Sequence, residues 1–359
     1  MNPLREFAGL DDDGIRRVVI DSGRPAVLRG LVASWPAVAR GRESPAALAR
    51  YLGERDSGLP VDAIMTPPEV QGRIFYRPDL EGFNYLRNRL PLSSVIEQVL
   101  RYGAFAQAPA VAAQSALIRE CLPAFLAENR LGLLDDTVGP RIWVGNRVTT
   151  PTHVDEWCNI ACVVAGRRRF TLFPPEQLPN LYVGPLDFAP TGAPVSLVEL
   201  ADPDFARFPR FAQALEAAQS AELEPGDAIF IPPLWWHNVQ SLDAFNVLVN
   251  YWWHAAGNAS ATGESAFDCL MHGIVNIRNL PPEARRAWAA FFAHYVFGPA
   301  QDATAHIPAG RQGVLAPLSP EVTAQLRTDL GRRLAAAAGK VAPPLPAGTP
   351  VQSPPAKPD

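Results

Sequence analysis

TTPTHVDEWCNIACVVAGRRRFTLFPPEQ, residues 149–177, is the stretch on which the reading of this chain turns. His153 and Asp155 are two apart, so on an extended strand both side chains point to one face, and Trp157 and Asn159 continue it. The run 158–166, CNIACVVAG, is apolar on both alternating faces and stops at a glycine that permits a tight turn. The returning strand begins at Arg167. Its alternation sets Arg168 with Phe170 and Leu172, while Arg167 and Arg169 face the other way. An arginine on an apolar face is costly unless it meets an anion, and a carboxylate clamped by two N–H groups satisfies it. The flanking arginines need only solvent or surface partners.

Moving outward, ELEPGDAIFIPPLWWHNVQSL (222–242) is a strand entered by a PGD turn and left through Pro232-Pro233, and it leads to His237. An H-x-D triplet alone is weak evidence, because it arises by chance in many chains. His153, Asp155 and His237 together are a two-histidine, one-carboxylate set with the third member arriving from a distant strand. Such a set leaves adjacent coordination positions open and suits Fe(II) better than a closed structural zinc site. FNVLVNY (245–251) places Asn246 and Asn250 on one face of an otherwise apolar strand. Buried amides need partners, so these are candidates for contact with a cosubstrate or for orienting its neighbours, packing being the alternative for Asn246. Cys158 and Cys162 share the opposite strand face and read as core thiols.

Around this centre the 359-residue chain falls into four regions. Residues 1–104 read as an N-terminal, mostly helical α/β wrapper. It contains a buried strand in RPAVLRGLV (24–32) and helices capped by Ser44 and by Ser93 or Ser94. Residues 105–256 carry short β-type runs separated by Gly, Pro and Asp, the pattern of an antiparallel sandwich or barrel, with a helix inserted at about 203–221. Residues 257–340 read as C-terminal helices, and 341–359 as a Pro-rich disordered tail. Thirty-two Lys and Arg against 36 Asp and Glu give a net charge of −4, without the basic excess that a nucleic-acid surface requires. Four cysteines are too few for a disulfide framework, no leader pattern opens the chain, and no run suits a membrane span. The expectation is a cytoplasmic protein that binds neither nucleic acid nor membrane.

The stretches T-x-x-H-x-D-x-x-x-N, A-G-R-R-R-F-T-L-F-P-P-E-Q, E-P-G-D-A-I-F-I-P and W-W-H-N-V resemble the cupin-like members of the JmjC superfamily. That group includes the asparaginyl hydroxylase of hypoxia-inducible factor and many bacterial proteins. The likeness covers about residues 24–256. It implies a mainly β, double-stranded β-helix (jelly-roll) core and an Fe(II)- and 2-oxoglutarate-dependent oxygenase, mostly a hydroxylase of protein side chains. Carried over residue by residue, it implies iron ligands His153, Asp155 and His237. It also implies that Thr150 and Arg168 hold the distal carboxylate of 2-oxoglutarate, while Asn159 and Asn250 line the same pocket. Many relatives carry a tyrosine where this chain has Val111 or Ala112, neither of which offers a hydroxyl.

The expected substrate is a protein, a peptide or a small molecule, with Trp157 and Trp235 or Trp236 as candidates for its lining. By analogy with relatives, the apolar C-terminal helices point to a homodimer. Two other readings stand beside this one: a non-catalytic cupin-fold adaptor that keeps a metal or ligand, and a metal-dependent cupin isomerase or hydrolase. The last commonly needs three histidines and a glutamate, and only two of the six histidines stand in suitable places.

Overall fold

The computed structural model describes residues 1–105, 107–254 and 265–339. The chain separates into two compact units, Met1–Ala255 and a second within Ala256–Pro350.

The first unit is built on strands β1 (Asn2–Pro3), β2 (Arg5–Ala8), β3 (Ala26–Arg29), β4 (Pro60–Thr66), β5 (Leu86–Pro91), β6 (Ala110–Leu117), β7 (Arg141–Gly145), β8 (Thr149–Val154), β9 (Cys158–Ala165), β10 (Arg168–Phe173), β11 (Gln219–Leu223), β12 (Ala228–Ile231), β13 (Trp236–Ser241) and β14 (Asn246–Trp253). They form a nine-stranded sheet, β2-β3-β12-β9-β14-β7-β6-β4-β5, and a five-stranded sheet, β1-β11-β10-β13-β8. Side-chain alternation assigns the two faces of the larger sheet to different cores. Ala161, Val163, Ile229, Ile231 and Leu248 turn inward and pack with Phe170, Leu172, Leu223 and Val239 of the smaller sheet. Their alternates Ile142, Val144, Cys158, Ile160, Cys162, Phe230, Val247 and Val249 form a second core with Val38, Leu48, Leu52, Val95 and Val99 from the helices Pro36–Glu43, Pro45–Gly53 and Leu92–Tyr102. β9 is therefore buried at every residue, which is why its sequence is continuously apolar rather than alternating. This is the jelly-roll sandwich expected from the sequence.

Gly166 closes the β9–β10 turn at φ 69°, and a Cβ there would lie 2.3 Å from Asn246 Oδ1, so both the turn and the packing exclude a side chain. Cys158 and Cys162 are free and buried, and burial pushes the Cys158 thiol up to about 11.

Strands β2 to β5 lie within the first 104 residues and extend the large sheet, so the N-terminal region contributes sheet as well as helices, as an α/β wrapper does. Two local expectations need correction. Ser44 caps its helix, accepting from Ala47 N at 3.1 Å, but the helix at 92–102 begins after Pro91 and neither serine caps it. The distant Asp56 carboxylate accepts from Ser93 N at 2.8 Å instead, satisfying one of the helix's free N–H groups. The helix sought at 203–221 is confined to Phe211–Ala217, because Pro209 disfavours helical backbone before it, and the chain joins β11 at Gln219.

The second unit contains helices Ala266–Ile277, Pro282–Tyr295, Ala300–Thr304 and Pro320–Ala338. Ala303 is its one buried residue among those described, whereas Trp288, Phe291, Tyr295, Val296 and Phe297 are exposed. No described helix is long and apolar enough to cross a membrane. The Pro-rich stretch at 341–359 lies outside the described residues.

A histidine–aspartate–histidine edge inside the sandwich

The inner face of the small sheet reads as three rows. His153 lies opposite His237, and His237 opposite Leu172. The next row is Thr150, Val239 and Phe170, and the third pairs Ser241 with Arg168. Thr150 and His153 are three apart yet share a face, because Pro151 and Thr152 together oppose Asn238 in a β-bulge. Proline suits this position, since a bulge leaves one residue out of the ladder. β8 is the outermost strand of its sheet, and short bridges cover its outer side, Arg73 beside Thr149 and Val195 beside His153.

The imidazole rings of His153 and His237 stand 4.1 Å apart. Nδ1 of His153 lies 2.9 Å from the Pro151 carbonyl, and Nδ1 of His237 lies 2.9 Å from the Trp235 carbonyl. A carbonyl only accepts, so each Nδ1 is the protonated nitrogen, and in the neutral tautomer that this fixes, Nε2 is the ligand atom. Asp155 sits in the turn just after β8 rather than on the strand, held there by Leu234 N donating to its main-chain oxygen at 2.8 Å. Its Oδ2 is buried, has no hydrogen-bond partner and lies 3.6 Å from His237 Nε2.

Burial pushes the His237 pKa down to about 4, reinforced by His153 and opposed by Asp155. The ring is thus neutral at pH 7, and the contact with Asp155 is not an ion pair. Two acceptor atoms facing each other without a donor between them are satisfied by a cation. One ligand atom from each of His153, Asp155 and His237 lies within 4.8 Å of the others, and among the described residues this is the one such cluster of metal-ligating side chains. The donor set, two nitrogens and a carboxylate, fits a divalent transition metal of the Fe(II) type.

Arg168 is 7% exposed, and its Nε has no hydrogen-bond partner. Among the described residues no carboxylate reaches it. Burial lowers its pKa to about 10, which still leaves it charged at neutral pH. Its neighbours behave differently: Arg167 pairs with Asp243 at 3.0 Å and Arg169 with Glu222 at 2.5 Å, both at the surface.

On the facing sheet, Trp143 Nε1 donates to Asn250 Oδ1 at 2.9 Å, and Asn250 Nδ2 approaches Asn159 Oδ1 at 3.5 Å. Asn159, Asn250 and Trp143 thereby form a polar chain along the inner face. Asn246 is taken up locally, donating to the carbonyls of Asn146 and Asp243, which favours packing over a ligand role. Val111 belongs to the outer core and Ala112 to a separate cluster, so Ala112 is the inward one of the two. Trp235 packs against the inner core, Trp236 opposes Val154 and alternates away from His237, and the rings of Trp157 and His254 meet at a 40° tilt with centroids 3.5 Å apart.

Two inner-face residues escaped the sequence reading, Trp143 and Arg141. The signal was present, since Arg141 and Trp143 alternate with Ile142 and Val144 just as Arg168 and Phe170 alternate with their neighbours. Without the strand pairing, nothing told which phase of PRIWVGN faced inward.

Residues 13–259 match the cupin-like domain family. HSPB1-associated protein 1 from Homo sapiens is 35% identical over 150 residues, covering 41% of this chain and 30% of that protein. The lysine-specific demethylase JMJ31 of Arabidopsis thaliana is 39% identical over 104 residues, 29% of this chain and 18% of the demethylase. The tRNA wybutosine-synthesizing protein 5 of Gallus gallus is 32% identical over 150 residues, 38% of this chain and 44% of that protein. The chain thus spans less than half the length of each of these relatives.

Proposed function

The chain belongs to the cupin-like, JmjC-type family, whose chemistry is that of 2-oxoglutarate oxygenases, and on that premise we propose that it is an Fe(II)- and 2-oxoglutarate-dependent oxygenase that hydroxylates its substrate. The observation that carries the reading is the converging edge of two histidines and an unpartnered carboxylate. His153, Asp155 and His237 hold the metal. Arg168 pairs with the distal carboxylate of the oxo acid, Thr150 adds a hydroxyl to that carboxylate, and Asn159 and Asn250 line the opposite wall. When bound, the iron and the oxo acid would supply the oxidising chemistry: dioxygen would give one oxygen atom to the oxo acid as it loses CO₂ and becomes succinate, and the other to the substrate.

The protein's own contribution is orientation and exclusion of water. The carbonyls of Pro151 and Trp235 lock both rings with Nε2 inward. Leu234 N fixes the turn that presents Asp155. Trp143 holds the Asn250 amide, so the polar wall is set before a ligand arrives. Relatives named for lysine demethylation and for tRNA modification share the family, and a protein, a peptide or a small molecule is the substrate class this reading admits. The exposed aromatic helices of the second unit are proposed to pair two copies of the chain, which sedimentation velocity tests directly.

Anaerobic titration with Fe(II) and then 2-oxoglutarate tests the oxygenase reading. A saturable visible charge-transfer band, lost in His153→Ala and weakened in Arg168→Ala, is the expected result. Ala112 favours a second reading, a metal- or ligand-binding adaptor, because it removes a hydroxyl from the cosubstrate pocket. Iron binding with no band would bring that reading forward.

A further inference from the structure

A second arginine faces the interior without an acid. Arg141 opens β7 on the inner face, alternating with Trp143 and lying opposite Asn250 in β14 and Leu117 in β6. Asn250 in turn lies opposite Ala161 of β9 and reaches Asn159 with its side chain, so Arg141 stands towards the end of β9 that follows Asp155. Arg168 lies at the other end, beyond the Gly166 turn.

The guanidinium is held rather than free. Arg141 Nη1 donates to the Ser115 carbonyl at 2.9 Å, while Nε and Nη2 have no hydrogen-bond partner among the described residues. That carbonyl is positioned by a departure from regular backbone. β6 shifts register between Ala113 and Ala116, and Ser115 takes φ 49°, a left-handed conformation that is strained for a non-glycine residue. Nearby Arg119 adds repulsion that Glu120 only partly offsets, and no carboxylate comes within 4 Å of Arg141 among the described residues. A strained bulge that fixes a half-buried guanidinium on the inner face, with no carboxylate paired to it, is explained by an anion that arrives with a ligand.

We propose that Arg141 is a substrate-binding residue whose free Nε–Nη2 edge takes a carboxylate, so that the primary substrate carries a carboxylate of its own, distinct from those of the oxo acid. Two parallel N–H groups match the two oxygens of a carboxylate. A polyanion such as a nucleic acid would need a broad basic field, which a net charge of −4 does not provide. This inference rests on the oxygenase reading of the same site and names the class of substrate for it.

The test is calorimetric titration of the full chain with benzoate and with benzamide, its neutral isostere, with inorganic phosphate as a third probe. It is run on the Zn(II)-loaded wild type saturated with 2-oxoglutarate, and on Arg168→Gln, in which the other uncompensated arginine is gone. Benzoate is expected to bind about tenfold or more tightly than benzamide in both, the contribution of a charge-assisted hydrogen bond. Arg141→Gln should abolish the preference, and Arg141→Lys, which keeps the charge but not the fork, should retain part of it. Equal binding of the two probes, no binding of either, or a preference untouched by Arg141→Gln would overturn the proposal. So would phosphate binding more tightly than benzoate. The 2-oxoglutarate titration of the wild type reports separately on the oxygenase reading, and the Arg168→Gln arm tests Arg141 even if that reading fails.

Discussion

The two faces of the nine-stranded sheet are differently made. The outer face, under the helices, is closed and apolar, with Ile142, Val144, Cys162, Phe230 and Val249 among its members. The inner face, made by the alternate residues of the same strands, carries Arg141, Asn159 and Asn250, and looks across at His153, His237 and Arg168. Polar groups in a core cost stability unless they are paired, and Asp155 Oδ2 and Arg168 Nε are not. The difference teaches that one face is closed as a folding core while the other keeps buried polar groups without partners.

Substitutions should separate the two faces, and the largest effect belongs to the inner one. Asp155→Ala should take 2-oxoglutarate decarboxylation below detection while changing unfolding free energy by no more than about 1 kcal/mol. Succinate release and urea unfolding measure the two halves, and retained turnover would remove the triad. On the outer face Phe230→Ala should cost about 3–5 kcal/mol, read as a lower urea midpoint. A loss under about 1 kcal/mol would mean that the outer face is not the folding core.

Arg168→Met sharpens the contrast, because it should act in opposite directions on folding and function. The ligand-free chain should gain about 1–3 kcal/mol by losing a buried unpaired charge. Affinity for 2-oxoglutarate should fall roughly 10- to 100-fold, as expected for a lost charge-assisted pair. Thermal unfolding with and without 2-oxoglutarate checks both, and a destabilised apo variant would show that Arg168 is structural. The smallest effect is Ser44→Ala, which removes the cap of an outer-face helix and should cost about 1 kcal/mol in the same assay.

Much of this was legible before the fold was known, because it depends on alternation within one strand. The inward phase of Arg168, the continuous burial of β9 and the turn at Gly166 all follow from residues a few positions apart. Asp155 was found by its spacing from His153, although its place is a turn fixed by Leu234, which spacing alone could not reveal. What stayed hidden depends on pairing between distant strands. The inward phase of Arg141, the recruitment of β2 to β5 to the large sheet and the Asp56 contact at the helix after Pro91 are of this kind. The left-handed Ser115 also has no sequence mark, since a bulge of this type more often announces itself with glycine.

The short bridges along β8 carry a consequence for life in a crowded solution. A terminal strand offers a row of unsatisfied backbone groups to any other extended chain, and is a common starting point for self-association. Here that strand also bears His153, so it cannot be buried under a helix without closing the site. Covering it at two points instead, beside Thr149 and beside His153, blunts the edge and leaves the functional face open. Loosening the segment around Val195 should therefore show first as aggregation, before it shows as lost binding.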